Sequence, residues 1–252
     1  MTDAANPLPW DVLPQAPRLV PGEVHVVAFA LDVPMAVVTE LEDLLARDEA
    51  ERAARFHQAR DRRRYIVGRA RLRLILGGYL DRAAAQLGFH YGTQGKPELR
   101  GGGSDARIRF NLSRAHELGV LALQLDEELG IDIELIRPFP DALHVAARFF
   151  TPDEHAALRD RPVAELDAAF FHYWTRKEAV LKSLGLGVSQ PMDAFTLLRQ
   201  PPAAGELVIV GGGAETATRW VAEVPLPSPG YVAALAMSRP SPPPRYRFWR
   251  TP

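Results

Sequence analysis

Gly130-Ile131-Asp132-Ile133-Glu134 and, some forty residues on, Trp174-Thr175-Arg176-Lys177-Glu178-Ala179 are the runs on which the fold turns. The first has the period-two alternation of a β-strand, so Asp132 and Glu134 project to one face while Ile131 and Ile133 point into a core. The second lies in a long helical pattern, where four-residue spacing puts Trp174, Glu178 and Lys182 on one face. Two carboxylates from a strand, a third from a helix and a lysine one turn beyond it suit a hard divalent cation beside a phosphate ester. Taken singly, each run also has a plain structural reading. Asp132 and Glu134 would serve on a half-exposed strand, and Glu178 with Lys182 would make an ordinary surface ion pair. Trp174 on the same face argues against full exposure, because tryptophan usually buries most of its area.

Working outward, Leu129 to Leu135 is the strand, ended by Pro138, and Ala164 to Leu184 is the longest helix, stopped near Gly185 and Gly187. Between them Ala146 to Phe150 reads as a short helix. Thr151-Pro152-Asp153-Glu154 opens another, with threonine as cap, proline at the first helical position and glutamate three after the cap. Strands are expected at Phe195 to Arg199, Glu206 to Val210, Trp220 to Val224 and Tyr231 to Met237. Upstream, Glu23 to Leu31 reads as a strand, Pro34 opens a helical pattern that runs on to Phe56, and Asp61 to Leu80 is an amphipathic helix rich in arginine. A hairpin follows around Gly95-Lys96-Pro97, then strands at Arg107 to Leu112 and Gly119 to Leu125.

The two stretches of chain echo each other. Ala53-Ala54-Arg55-Phe56 precedes one long helix and Ala146-Ala147-Arg148-Phe149 precedes the other, within a matching order of elements. The expectation is an α+β pseudo-dimer of two similar halves, each a small mainly antiparallel sheet packed with a long helix, with the active site at the seam. Residues 1–21 form an extended N-terminal arm, 22–126 the N-terminal half, 127–239 the C-terminal half carrying the acidic motifs, and 240–252 a proline-rich tail that docks on the body through Tyr246 and Trp249.

Composition narrows the classes. A chain of 252 residues with 47% hydrophobic and 24% charged residues is an ordinary globular protein. A formal net charge of −1 argues against a general nucleic-acid binder. Cysteine is absent, which excludes thiol catalysis and disulfides and points to the cytoplasm. Met1 to Pro21 lacks the basic and apolar regions of a signal peptide, and no apolar run reaches the roughly 20 residues of a membrane span. Of 30 basic residues only Lys96, Lys177 and Lys182 are lysines, and two of these flank Glu178. The arginines from Arg52 to Arg73 are either a solvated helix face or an anion site, given the fit of guanidinium to phosphate.

In this order, Gly95-Lys96-Pro97, Phe110-Asn111-Leu112-Ser113, Gly130 to Glu134, Arg148-Phe149-Phe150-Thr151-Pro152-Asp153-Glu154 and Trp174-x-x-Lys177-Glu178-Ala179-x-x-Lys182 resemble the 4′-phosphopantetheinyl transferases, in their larger monomeric class. The resemblance runs from about Ala53 to Gly187. It implies coenzyme A as co-substrate in the cleft between halves, Mg²⁺ on the pyrophosphate, and an apo acyl- or peptidyl-carrier protein as partner. Asp132, Glu134 and Glu178 match the metal ligands. Glu178 also matches the residue that takes the proton from the carrier serine, and Lys182 the lysine that neutralises the pyrophosphate. Lys96 matches a lysine near the adenine nucleotide. Arg52 and Arg64 fall where the family places basic residues on the 3′-phosphate, and Lys177 is grouped with the coenzyme A ligands. Arg114 stands where the family often has histidine, with His116 two residues on. The alternative function is a coenzyme A or nucleotide-binding regulator without catalysis.

Overall fold

The computed structural model describes residues 10–92, 95–102, 107–185, 191–197, 205–210, 217–238 and 245–251. The first residues of the proline arm, the turn residues Thr93 and Gln94, Gly187 and the end of the strand expected at Phe195 to Arg199 lie outside them.

The N-terminal half starts with β1 (Asp11–Val12) and β2 (Glu23–Ala30). It continues through α1 (Met35–Glu42), α2 (Arg47–Ala54) and α3 (Ala59–Leu80). A two-stranded hairpin follows, β3 (Phe89–Tyr91) with β4 (Pro97–Leu99), and then β5 (Ile108–Ala115) and β6 (Leu118–Leu125). The C-terminal half repeats the order: β7 (Leu129–Leu135), α4 (Ala142–Phe149), α5 (Pro152–Arg159) and α6 (Val163–Leu184), then β8 (Glu206–Val210), β9 (Ala217–Glu223) and β10 (Tyr231–Ser238). Each half thus has a strand, two helices of 8 residues and one of 22.

The protein is α+β in two halves, as expected. The four-residue echo, however, does not mark equivalent places. Ala53-Ala54 ends the second short helix of its half, whereas Ala146 to Phe149 ends the first of the other. Two further expectations are corrected. The helical pattern from Pro34 to Phe56 is broken between Glu42 and Arg47, and Phe195 to Leu197 are not in a strand. A 3₁₀ turn at Met192–Ala194 carries the chain there instead.

With β11 (Arg245–Arg250) as the last strand, one sheet has the order β1-β11-β2-β6-β5 and the other β7-β10-β9-β8. Strand β11 comes from the C-terminal tail and pairs parallel with β2 and β1 in the N-terminal sheet. Three cores result. Helix α3 covers one face of the first sheet through Ile66, Leu72 and Leu76, and α6 covers one face of the second through Phe170, Phe171 and Val180. The remaining faces pack sheet on sheet, Val24, Val26, Val120 and Ala122 against Ile131, Ile133, Ala233 and Leu235. No helix among the described residues is long and apolar enough to cross a membrane.

Candidate active site

The alternation read in the sequence decides what β7 shows to each neighbour. Ile131 and Ile133 are buried in the sheet-on-sheet core, so Gly130, Asp132 and Glu134 face α6. Gly130 is the contact point. A methyl on it would land on the backbone of Ala179, Lys182 and Ser183, so only glycine lets the helix lie this close to the strand. One turn of α6 then brings Glu178 and Lys182 over Asp132. The Lys182 ammonium donates to Asp132 Oδ1 at 2.5 Å, to Ser113 Oγ at 3.1 Å and to the Ile131 carbonyl at 3.3 Å.

Edge strand β5 closes the site from the other half. Its Asn111 and Ser113, two residues apart, turn the same way. The Ile131 N–H donates to Asn111 Oδ1 at 2.8 Å, and Ser113 Oγ donates to Asp132 Oδ1 at 2.8 Å. Both β5 and β7 are sheet edges with no ladder between them, so side chains replace the ladder across the seam. The sequence reading did not single out Asn111 and Ser113. The signal was their i, i+2 spacing on a strand, which turn chemistry explained equally well.

Electrostatically the cluster is under-compensated. Asp132 is buried, and its Oδ2 has no hydrogen-bond partner among the described residues. Burial pushes the Glu178 carboxyl up, opposed by Lys182 and assisted by the charge of Asp132. Burial also raises Glu134, and Asp132 adds to it, while Arg137 and Lys182 oppose. An orphaned buried oxygen and two carboxyls held above their ordinary range are the chemistry of an oxygen-donor set for a hard cation. Among the described residues, no three His, Asp or Glu side chains converge closely enough to enclose an ion. The donors are instead presented by two facing elements, with Lys182 against Asp132.

The expected anion ligands separate into three groups. Arg52 and Arg114 stack on the same ring, that of Tyr65, at 5.8 and 5.5 Å from its centroid. Neither has a hydrogen bond or ion pair among the described residues. Arg114 as a whole is exposed, yet the protein around its guanidinium lowers its pKa, with Arg69 and Arg52 adding like charge and Tyr65 opposing. Gly68 makes room for it, since a Cβ there would sit 2.8 Å from Arg114 Cδ. Arg52 also lines an open depression of about 650 Å³ with Asp48, Glu51, Arg55 and Phe56; none of the three acidic residues at α6 borders it.

Arg64 and Lys96 already have partners. Arg64 makes a bidentate pair with Asp32 at 2.7 and 2.6 Å. Lys96 donates to Glu128 at 2.7 Å, the Leu129 carbonyl at 3.0 Å and the Lys182 carbonyl at 3.3 Å.

Lys177 is corrected outright as a coenzyme A ligand. It is fully buried, and its ammonium is taken by Glu154 at 2.8 Å and by the carbonyls of Met192 at 2.7 Å and Phe195 at 2.8 Å. The neighbouring position on a helix is rotated by roughly 100°, so Glu178 faces the seam because Lys177 does not.

Fold and site together define a two-half α+β protein whose seam offers carboxylates and a lysine, and whose N-terminal half carries two guanidinium groups that have no hydrogen bond or ion pair among the described residues, groups suited to a phosphorylated ligand. Residues 128–236 match the family described as the 4′-phosphopantetheinyl transferase superfamily, and residues 35–126 match the N-terminal region of a 4′-phosphopantetheinyl transferase. The chain is 36% identical to the 4′-phosphopantetheinyl transferase HetI of Nostoc sp. over 90% of its own length and 93% of that protein. It is 28% identical to the transferase Sfp of Bacillus subtilis over 61% of this chain and 66% of that one. With AcpT of Salmonella typhimurium it shares 43% identity over 38% of this chain and 48% of that one. The chain belongs to the 4′-phosphopantetheinyl transferase superfamily.

Proposed function

We propose that this enzyme transfers 4′-phosphopantetheine from coenzyme A to a serine of an apo acyl- or peptidyl-carrier protein, releasing 3′,5′-ADP, and that Asp132, Glu134, Glu178 and Lys182 carry the chemistry. The observation that supports it most is the facing of β7 and α6, which sets a buried, half-unpartnered Asp132 against Lys182 with two raised carboxyls beside it.

Asp132, Glu134 and Glu178 would hold Mg²⁺, which when bound offsets charge on the pyrophosphate and on the phosphorus under attack. The residues of the chain do the rest. Glu178 accepts the proton of the carrier serine as the serine oxygen forms a bond to the β-phosphorus and the bond from that phosphorus to the bridging oxygen of 3′,5′-ADP breaks. Lys182 places its charge where the departing phosphate of 3′,5′-ADP develops its own. Ser113 holds Asp132 in place through its hydroxyl. Arg52 and Arg114, stacked on Tyr65 and without a carboxylate partner among the described residues, receive the 3′-phosphate. Arg64, neutralised by Asp32, contributes less. Lys96 fixes the end of α6 near the nucleotide. Both halves of the seam lie in one chain, so the enzyme acts as a monomer, and a sequence without cysteine fits a place in the cytoplasm.

The test is a mass increase on apo carrier proteins incubated with the enzyme, coenzyme A and Mg²⁺. The expected result is a 4′-phosphopantetheine adduct with the wild type and none with Glu178→Gln. Coenzyme A binding without an adduct on any of a panel of apo carriers would replace transfer with a binding role.

A further inference from the structure

The clearest repeat in this protein is a buried cross-link that occurs once in each half. In the C-terminal half, Glu154 is the third residue of α5, and its Oε2 accepts the N–H of Thr151 at 2.9 Å. The same carboxylate takes Lys177 of α6, which also donates to the carbonyls of Met192, the first residue of the 3₁₀ turn, and of Phe195, the residue just after it. In the N-terminal half, Glu49 is the third residue of α2, and its Oε2 accepts the N–H of Ala46 at 3.0 Å. It takes Arg73 of α3 at 2.6 Å and also Arg69. Arg73 then donates to the Ala84 and Leu87 carbonyls, at 3.1 and 2.8 Å, which bracket the 3₁₀ turn Ala84–Gln86. Arg73 and Lys177 each lie fourteen residues after the first residue of their 22-residue helix. The side chains of Glu49, Arg73, Glu154 and Lys177 are at most 1% exposed.

Each cross-link therefore ties three elements at one point: the start of a short helix, the inner face of the long helix and the turn that follows it. A buried ion pair is a weak source of net stability, because desolvation offsets its attraction. Its geometry is demanding, however, and it fixes the rotation of the long helix about its axis. What that rotation presents differs between halves. On α6 it turns Glu178 and Lys182 toward Asp132. In the first half it sets Arg52 of α2 against Tyr65 of α3, the ring that Arg114 also covers.

We propose that the two cross-links are positioning devices with divided duties: Glu154–Lys177 governs the chemical step, and Glu49–Arg73 governs the hold on coenzyme A. The proposal rests on the transferase reading and adds to it a division of labour between equivalent residues.

The experiment compares Glu154→Gln with Glu49→Gln in the full chain. Transfer is measured per folded molecule, with coenzyme A varied at saturating carrier. Glu154→Gln is expected to lower kcat on the order of 10²-fold through misplacement of Glu178, with KM for coenzyme A within about threefold. Glu49→Gln is expected to raise that KM about tenfold, the scale of one weakened charge-assisted contact, and to leave kcat within about threefold. A purely structural role would lower the melting temperature of both and leave kcat and KM per folded molecule unchanged. That result overturns the proposal, as does the same parameter moving in both variants. If either variant does not fold, Lys177→Arg and Arg73→Lys keep the charge and must show the same split at smaller amplitude; no split overturns it. An inactive wild type would count against the transferase reading, whereas an active wild type with undivided effects counts against this proposal alone.

Discussion

Glu178 is where activity and stability pull apart. Burial raises its carboxyl above the usual 4.5, so the folded chain holds a proton there more readily than the unfolded chain does. The cost of keeping it charged is absent below the unfolded value, grows as pH rises through the interval up to the folded value, and is complete above that. Glu178→Gln is therefore expected to abolish transfer yet melt at a higher temperature than the wild type at pH 7. The gain should shrink to nothing near pH 4, and calorimetry across that range checks it. At the anion site the prediction is a contrast. Arg114→Ala is expected to raise KM for coenzyme A at least about tenfold. Arg64→Ala, whose guanidinium is already spent on Asp32, should change it less than about threefold. Titration calorimetry with coenzyme A separates the two.

Among the elements, β7 and α6 matter most, and Gly130 is the residue that lets them meet. Gly130→Ala is expected to destabilise the protein by more than about 3 kcal/mol, the severe end of overpacking, since backbone and not a flexible side chain is in the way. Chemical denaturation measures the loss, and the surviving folded fraction should show a lower kcat because α6 has moved off Asp132. Helix α5 shows how much of an element can be read locally. The threonine cap, the proline and Glu154 were recognisable in order, and the reciprocal hydrogen bonds form, Thr151 N–H to Glu154 at 2.9 Å and Glu154 N–H to Thr151 at 3.4 Å. That Glu154 also accepts a buried lysine from α6 was not legible, because the pairing joins residues brought together only by packing. The arginines of α3 tell the same story. Arg69 and Arg73 are neither a solvated face nor an anion site but are buried on Glu49.

For the molecule as a whole, the tail binds the two halves. Strand β11 leaves the C-terminal half and pairs with β2 of the other, with Phe248 buried in the core between the sheets. Removing residues 245–252 is expected to cost at least about 3–5 kcal/mol, the scale of losing one large buried aromatic side chain. It should lower the melting temperature while leaving kcat near wild type at temperatures where the chain stays folded. Thermal unfolding and transfer assays on the truncated chain check this. No residue of the carboxylate cluster lies on β11, so loss of kcat in folded material would show that the tail also shapes the seam.

By itself the sequence determined the local pieces: the strand that offers Asp132 and Glu134 together, the helix face bearing Glu178 and Lys182, the caps, and the two-half order of elements. These follow from periodicity and short-range hydrogen bonding, which act between near neighbours. The partner of each charge was decided only by the tertiary structure. Lys177 turned inward, Arg64 was committed to Asp32, Asn111 and Ser113 were drawn to the seam, and Arg114 was left without a counter-ion among the described residues, because long polar side chains take whichever partner packing brings within reach.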